Sequence, residues 1–263
     1  METIGDNLFQ VKKERSYISC LLKGNSYGFK HLGMLLRYMW PSLVLTIILP
    51  IPFVFFFAVQ IDAILRKWIE LGYLPNVTLK SMRHDIEKCA NRSVVKVLIY
   101  MIWLAIIIVS FYVPLYLGLN IWYCLLFPII FWVIPLPLSV VIMQISYSEK
   151  AISECFKSGM RIGYRNYGKL FAFDFLNLLL LIILLLIGSI PYLTTAAVLF
   201  QSYQGVLMGE AWNLPVLFPL YVILADFLST AVLLITILVF SFSRCLMWGS
   251  LVNEVPTEAE THS

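Results

Sequence analysis

Charged residues are scarce in this chain. Asp, Glu, Lys and Arg make up only 13% of it, whereas hydrophobic residues make up 60%, against about 45–50% in soluble domains. A transmembrane helix needs about 20 consecutive apolar residues, and three uncharged stretches are longer than that. They lie between Arg37 and Asp62, between Lys96 and Glu149, and between Asp174 and Glu210. The composition excludes a soluble domain and predicts an all-α, polytopic bundle of transmembrane helices.

The sequence also lacks the motifs that carry catalysis or bind metals. It contains no H-E-x-x-H, no G-x-S-x-G and no Walker loop, and its three histidines, His31, His84 and His262, are far apart. The five cysteines are scattered without a C-x-x-C pair, which argues against a zinc site or a disulfide framework. The sequence also lacks a stripe of basic residues interleaved with aromatic residues, which is the pattern that indicates nucleic acid binding. We therefore expect a non-enzymatic protein with no cofactor, no metal and no nucleic acid partner.

An amphipathic helix is predicted at residues 148–167. Small or apolar residues, including Cys155, Gly159 and Gly163, recur there at spacings of three and four. The opposite face and the entry to the next apolar run carry four cations, which are the candidate contacts for anionic lipid: Lys157, Arg161, Arg165 and Lys169. A basic amphipathic helix of this kind lies at the membrane interface, with its cations among anionic headgroups.

The same pattern occurs near the N-terminus, within residues 13–36. A shift of 135 positions superimposes Cys20 on Cys155, and both segments fit C-x-x-x-G-x-x-x-G-[FY]-[KR]-x-x-G-x-L. This similarity predicts an internal repeat. Each copy contains a G-x-x-x-G pair, which lets two helix backbones approach closely in membranes. The candidate helix-packing residues are Gly24, Gly28, Gly159 and Gly163.

The chain divides into alternating amphipathic and apolar segments. Residues 1–253 form a single integral membrane domain in this interpretation, and the acidic residues 254–263 form a disordered tail. The expected amphipathic segments are 13–36, 78–93 and 148–167; the hydrophobic segment 38–61 precedes expected spans at 97–115, 121–145, 170–190 and 214–242. Prolines are expected to break the segment 38–61 at L-P-I-P and to bend the span 121–145.

Orientation leaves two alternatives, because cations favour the cytoplasmic side. If residues 38–61 dip into the membrane and return, every Lys and Arg lies on the cytoplasmic side. If they cross, the two amphipathic copies face opposite leaflets and the repeat is inverted. We favour the first alternative, with a cytoplasmic N-terminus.

Three polar residues inside apolar runs are candidates for function. Asp174 and Asn177 share one helix face, whereas Asp226 is expected near the opposite interface and away from Asp174. An ionised carboxylate in hydrocarbon is unfavourable unless it is paired or hydrated. Each of these residues is therefore either a helix-packing or interfacial hydrogen-bonding group, or part of a transport or binding site.

The two copies resemble segments of known families. The stretches S-G-M-R-I-G-Y-R-N-Y-G-K-L-F and G-N-S-Y-G-F-K-H-L-G-M-L-L lead from a basic helix into an apolar run. They are similar to uncharacterised bacterial multi-pass membrane proteins and to the membrane domain found beside some glycerophosphodiester phosphodiesterases. The chain has no counterpart of the catalytic domain of those enzymes, so the resemblance implies no activity. It does imply a bacterial plasma (inner) membrane location.

Two functions are compatible with these observations. The first is a scaffold or accessory subunit that binds anionic lipid, a membrane protein partner or a second copy of itself through its basic helices. The alternative is a small-solute or lipid transporter, which is suggested by proline-broken spans, intramembrane acids and a repeat.

Overall fold

A computed structural model describes residues 15–74, 79–208 and 214–253 of the chain. These residues form helices and connecting turns, with no strand among them, so the all-α prediction is confirmed. The predicted tail at 254–263 and the first two residues of the segment 13–36 lie outside the described ranges. The helices are α1 Tyr17–Lys30, α2 Leu32–Ile48, α3 Pro50–Leu71, α4 Leu79–Tyr116, α5 Ile121–Val133, α6 Pro137–Tyr147, α7 Ile152–Arg165, α8 Tyr167–Leu207 and α9 Phe218–Asn253.

Three of these helices, α4, α8 and α9, are long and apolar enough to cross a membrane. The helices α5 and α6 are bent by 43° at a short break and form a fourth crossing if they are counted as one span. The bend lies between Val133 and Pro137, where the prolines of this span were expected to produce one. The chain is a polytopic helix bundle, as predicted.

The expected boundary between a surface helix at 78–93 and a span at 97–115 does not exist. Helix α4 runs from Leu79 to Tyr116 without interruption. The sequence has no glycine or proline in this range before Pro114, so no residue breaks the backbone hydrogen-bond ladder. The polar segment is therefore the first part of a membrane-crossing helix.

The last two spans are also longer than 170–190 and 214–242. Helix α8 continues through Pro191 to Leu207, and α9 continues to Asn253. Proline removes one donor from the ladder, but side chains of a neighbouring helix can bond the backbone groups that it frees. Pro191 leaves the Ile187 carbonyl without its helical donor, and at the next residue the Ser229 hydroxyl on α9 donates to the Gly188 carbonyl at 2.9 Å, so α9 bonds to α8 beside this position. Pro191 therefore does not end the helix.

The L-P-I-P segment separates α2 from α3 at Leu49, whose backbone is not helical (φ −132°, ψ 78°). The Ser42 hydroxyl on α2 bonds to the Gln60 side chain on α3, although these residues would be about 27 Å apart in one straight helix. The amide of Leu74, beyond the end of α3, donates to the Tyr27 hydroxyl on α1 at 3.2 Å. Helices α2 and α3 are therefore a hairpin that starts and finishes beside α1.

One end of the bundle collects most of the cations, and we call it the basic end. It comprises α1, the last part of α3, the first part of α4, the end of α6, α7, the start of α8 and the end of α9. The Arg92 guanidinium on α4 bonds to the carbonyls of Ser148, Glu149 and Lys150 after α6. Beneath this end, fully buried Trp68 of α3 packs against Tyr27 and Phe242, with ring centroids 4.8 and 5.0 Å apart.

Away from the basic end, the bundle opens into two helical hairpins. One is formed by α4 and α5, and the other by the outer halves of α8 and α9. Large apolar side chains are exposed on both, for example Ile102, Tyr112, Leu186 and Ile223. Such surfaces are stable against lipid chains but not against water, so these hairpins are the membrane-embedded part of the molecule.

Candidate functional site

The glycine pair of α1 lies at a close contact with α9. A Cβ atom on Gly24 would stand 2.6 Å from the backbone nitrogen of Ser243, and one on Gly28 would stand 3.2 Å from the Cα of Val239. At Gly24 only a residue without a side chain allows this approach, whereas at Gly28 a side chain would require α9 to shift by a few tenths of an ångström; small residues are used in the same way in other membrane helix pairs.

The glycine pair of α7 makes the corresponding contact with α6. A Cβ on Gly159 would lie 2.7 Å from the Cα of Val141, and one on Gly163 would lie 2.7 Å from the Cα of Pro137. Helix α7 begins and ends 135 positions after α1, and α8 likewise begins 135 positions after α2. The contact residues on α9 (Val239, Ser243) follow those on α6 (Pro137, Val141) by 102 positions.

The ends of these helix pairs also correspond. The amide of Arg15, before α1, donates to the Ser250 hydroxyl of α9 at 2.8 Å. The amide of Lys150, before α7, donates to the Ser148 hydroxyl after α6 at 3.2 Å. Both residue pairs keep the offsets of 135 and 102. The structure therefore contains two equivalent helix pairs, α1 with α9 and α7 with α6, and both stand at the basic end.

The outward face of α7 carries the predicted lipid contacts. Lys157, Arg161 and Arg165 are exposed on α7, and Lys169 is exposed at the start of α8. The outward face of α1 differs, because it exposes Lys23 and Lys30 among apolar side chains such as Leu22 and Phe29. The two copies thus share a buried face and differ in their exposed face.

The junction residue after α1 is His31, which corresponds to Asn166 after α7. Burial and the neighbouring charge of Lys30 lower the pKa of His31 below its ordinary value. The imidazole is therefore neutral at pH 7.

Asp174 lies inside the bundle and is paired. Its carboxylate is 5% exposed and accepts from Nη2 of Arg244 at 3.4 Å, while Nη1 of Arg244 donates to the Tyr100 hydroxyl at 2.8 Å. Asn177, one turn further along α8, is 4% exposed. Neither polar atom of its amide has a hydrogen-bond partner among the described residues.

A second buried pair lies between α3 and α4. The fully buried carboxylate of Asp62 forms an ion pair with Lys96 and accepts from the Ser93 hydroxyl at 2.6 Å. Asp62 directly follows the segment 38–61, and its carboxylate neutralises Lys96, the last cation before the apolar part of α4.

A cavity of about 380 Å³ lies between α3, α4, α5, α6, α8 and α9, and it is lined by Lys96 of one pair and by both members of the other. Lys96, Tyr100, Asp174, Asn177 and Arg244 line one part, and apolar side chains line the remainder. Asp226 does not belong to this site: it is exposed on α9, 18 residues before Arg244, about 27 Å away along the helix.

Sequence reasoning singled out Asp174 and Asn177 but missed Arg244, Lys96, Asp62 and Tyr100. The available signal was charge at the ends of the apolar runs: Arg244 near the end of the last run, and Asp62 and Lys96 on either side of a polar segment. Opposite charges at the same membrane depth are expected to pair. The pairing itself depends on which helices are neighbours, and a single sequence does not specify that.

Among the described residues, no group of three or more His, Cys, Asp or Glu side chains is arranged to hold a metal ion. Comparison with protein-family models, curated proteins and solved structures finds no match to this chain. The resemblance to the membrane domain beside glycerophosphodiester phosphodiesterases stays a prediction.

Proposed function

We propose that this chain is a non-enzymatic, multi-pass protein of the plasma membrane that binds anionic lipid at its basic end and serves as a scaffold or accessory subunit. The observation that carries the proposal is the two-faced arrangement of α7. Its glycines pack against α6, and the opposite side exposes Lys157, Arg161 and Arg165. Each cation near an anionic membrane surface contributes about 1 kcal/mol of attraction.

The proposal includes the orientation of the molecule. With α2 and α3 forming a hairpin, both copies of the amphipathic helix stand at the basic end. The positive-inside rule then assigns this end, and the N-terminus with it, to the cytoplasm. A membrane protein partner or a second copy of the chain would meet the same exposed faces of α1 and α7.

Lipid binding tests the proposal directly. We expect the purified protein to bind phosphatidylglycerol more tightly than phosphatidylcholine in native mass spectrometry. Lys157→Gln with Arg165→Gln should weaken phosphatidylglycerol binding about 30-fold, the equivalent of about 2 kcal/mol for two cations.

Arg83→Gln with Glu87→Gln is the matched double control for that variant. Arg83 is exposed at the basic end and is paired with Glu87 at 3.1 Å, so removing both charges leaves the net charge unchanged and should change binding little. Equal weakening by both variants, or no preference for phosphatidylglycerol, would remove support for the proposal.

A small-solute or lipid transporter is the second candidate, and the cavity at Asp174 favours it. Transport requires a site within the membrane that is open to a ligand, and the basic surface of α7 does not supply one. Uptake or flipping that Asp174→Asn abolishes in a folded protein would establish this candidate, whereas exposed Asp226→Asn should have no effect.

A further inference from the structure

The intramembrane cavity has a polar end and an apolar end, arranged along the membrane normal. On α8, Asp174 and Asn177 are followed by Leu178 and Leu181; on α4, Lys96 is followed by Tyr100 and Trp103. Helix α9 runs the other way, and there Arg244 is preceded by Ser241 and Ile237. All three helices therefore place their charges toward the basic end and their apolar side chains deeper in the membrane.

The depth of the polar end is that of a lipid headgroup. Asp174 follows exposed Lys169 by five residues, or about 7.5 Å along the helix at about 1.5 Å per residue. A lipid of the adjacent leaflet would bring its headgroup to this level and its chain to the level of Leu181. The volume of about 380 Å³ is within the range of small-molecule sites, about 300–1,000 Å³.

The charges of the polar end balance. Arg244 is paired with Asp174 in the cavity lining, and Lys96 is paired with Asp62, which is fully buried outside the lining, so each cation has its own carboxylate. An anion alone would meet no net attraction here, in contrast to the outward face of α7. A ligand that carries both signs could contact both members of the Arg244–Asp174 pair, which touch through a single 3.4 Å contact.

Asn177 supplies the observation that points to a ligand. Its amide is 4% exposed, and neither its Nδ2 donor nor its Oδ1 acceptor has a hydrogen-bond partner in the described part of the chain. A buried amide without partners is unfavourable. An ammonium group could donate to Oδ1, and a phosphate oxygen could accept from Nδ2.

We propose that this cavity binds a zwitterionic lipid with a primary-amine headgroup of the phosphoethanolamine type. The phosphate lies against Arg244, the ammonium lies against Asp174 and Asn177, and the acyl chains leave between the two membrane-embedded hairpins. A primary amine fits because Asp174 and the Oδ1 of Asn177 accept hydrogen bonds, which a trimethylammonium group cannot donate. The site is separate from the basic face of α7 and selects a different headgroup.

The test is native mass spectrometry of the full chain with dioleoyl phosphatidylethanolamine, phosphatidylcholine or phosphatidylglycerol added separately. Wild type should bind phosphatidylethanolamine more tightly than phosphatidylcholine. Asn177→Leu, which removes both amide groups, should weaken phosphatidylethanolamine binding about tenfold while leaving the response to phosphatidylglycerol unchanged. Asp226→Asn, outside the cavity, should bind all three lipids as wild type does.

Asn177→Leu should fold, because it removes unpartnered polar atoms. If it does not, Asp174→Met with Arg244→Ile provides the same test. Unchanged phosphatidylethanolamine binding in the folded variant, or equal binding of phosphatidylcholine by wild type, would overturn the proposal. Free phosphoethanolamine that competes as well as the lipid would show a solute site and would also overturn it. The binding of phosphatidylglycerol through Lys157 and Arg165 can succeed or fail independently of all these outcomes.

Discussion

The stretches that follow α1 and α7 begin in the same register and have nearly the same length, yet they take different paths. After α7, the chain forms the 41-residue helix α8. After α1, it forms α2 and α3, of 17 and 22 residues, which fold back on each other at Leu49. A proline disfavours helical backbone in the residue before it. Pro50 and Pro52 correspond to Leu185 and Ile187, so two prolines in close succession distinguish the hairpin from the crossing helix.

The comparison also explains why the two halves of the chain, α1–α6 and α7–α9, contain different numbers of helices. Because the α2–α3 hairpin returns to the basic end, the first half crosses the membrane with α4 and comes back with α5 and α6. In the second half α8 crosses and α9 comes back, so no counterpart of α4 is needed. Both halves begin and end at the basic end, and the repeat is parallel rather than inverted in the structure.

The largest effect is expected from converting the α2–α3 hairpin into one continuous helix like α8. Pro50→Leu with Pro52→Ile should join α2 and α3 into one helix and carry the end of α3 to the far side of the membrane. Cysteines introduced at Lys23 and Glu70 report the sides, because the five native cysteines are buried and shielded from an impermeant thiol reagent. Both sites should label from one side in the parent protein and from opposite sides in most molecules of the variant.

Pro191→Leu is the control for that experiment, since α8 already continues through Pro191. It should leave both labelled positions on one side. If the Pro50 and Pro52 variant also kept them on one side, packing rather than the prolines would be responsible for the hairpin.

The second effect concerns the interiors of the two halves. Met39 and Ile142 occupy the positions that correspond to Asp174 and Arg244, and both are fully buried. Arg244→Ile alone should destabilise the protein by about 3–5 kcal/mol, because a buried carboxylate loses its partner. Adding Asp174→Met should restore stability close to that of wild type, since an apolar pair often replaces a buried ion pair without loss.

The free energy of unfolding in bicelles measures both variants of the ion pair. A double variant that is as unstable as Arg244→Ile would show that Asp174 stabilises the bundle through contacts other than this pair.

The third effect tests the shared faces of α1 and α7. Gly24→Ala and Gly159→Ala should each destabilise the protein by about 1–3 kcal/mol, because the added methyl group overlaps the backbone of the neighbouring helix. Gly33→Ala and Gly168→Ala are matched controls with nothing within 4 Å of the new Cβ. These two should raise stability by about 0.5–1 kcal/mol, since alanine favours helix more than glycine. Thermal unfolding that ranks all four variants alike would contradict the close contacts.

The smallest effect is expected at the junction between α1 and α2. Because the pKa of His31 is lowered in the folded protein, a falling pH protonates this imidazole in the unfolded chain before it does so in the folded one. The contribution of His31 to stability is therefore constant above about pH 6.5, the unfolded value, and is lost as the pH falls below it. His31→Asn introduces the residue found at the corresponding junction. It should reduce the fall in melting temperature that accompanies a decrease in pH below about 6.5. If the pH dependence of the melting temperature stayed unchanged in this variant, groups other than His31 would be responsible for it.

The local features of the fold were predictable from sequence, whereas its continuity and pairing were not. The glycine spacing indicated two equivalent amphipathic helices, and the two prolines indicated a break, because both signals lie within a few residues. The joining of 78–93 to 97–115 depends on the absence of any helix-breaking residue before Pro114, whereas the change in polarity near Lys96 favours a boundary there. The Arg244–Asp174 pair joins residues 70 positions apart, and periodicity within one helix contains no information on such a contact.

The bond between Arg15 and Ser250 has a counterpart within the continuous chain, between Lys150 and Ser148. The described ends of the protein therefore stand in the same relation as two residues that a short loop already joins. The break in the chain between α9 and α1 thus corresponds to the continuous junction between α6 and α7. A circular permutant that joins the end of α9 to Arg15 by a short loop in place of residues 254–263 and 1–14, and opens the chain in the loop between α6 and α7, is expected to retain the helix contacts of the described residues, with the two halves in exchanged order.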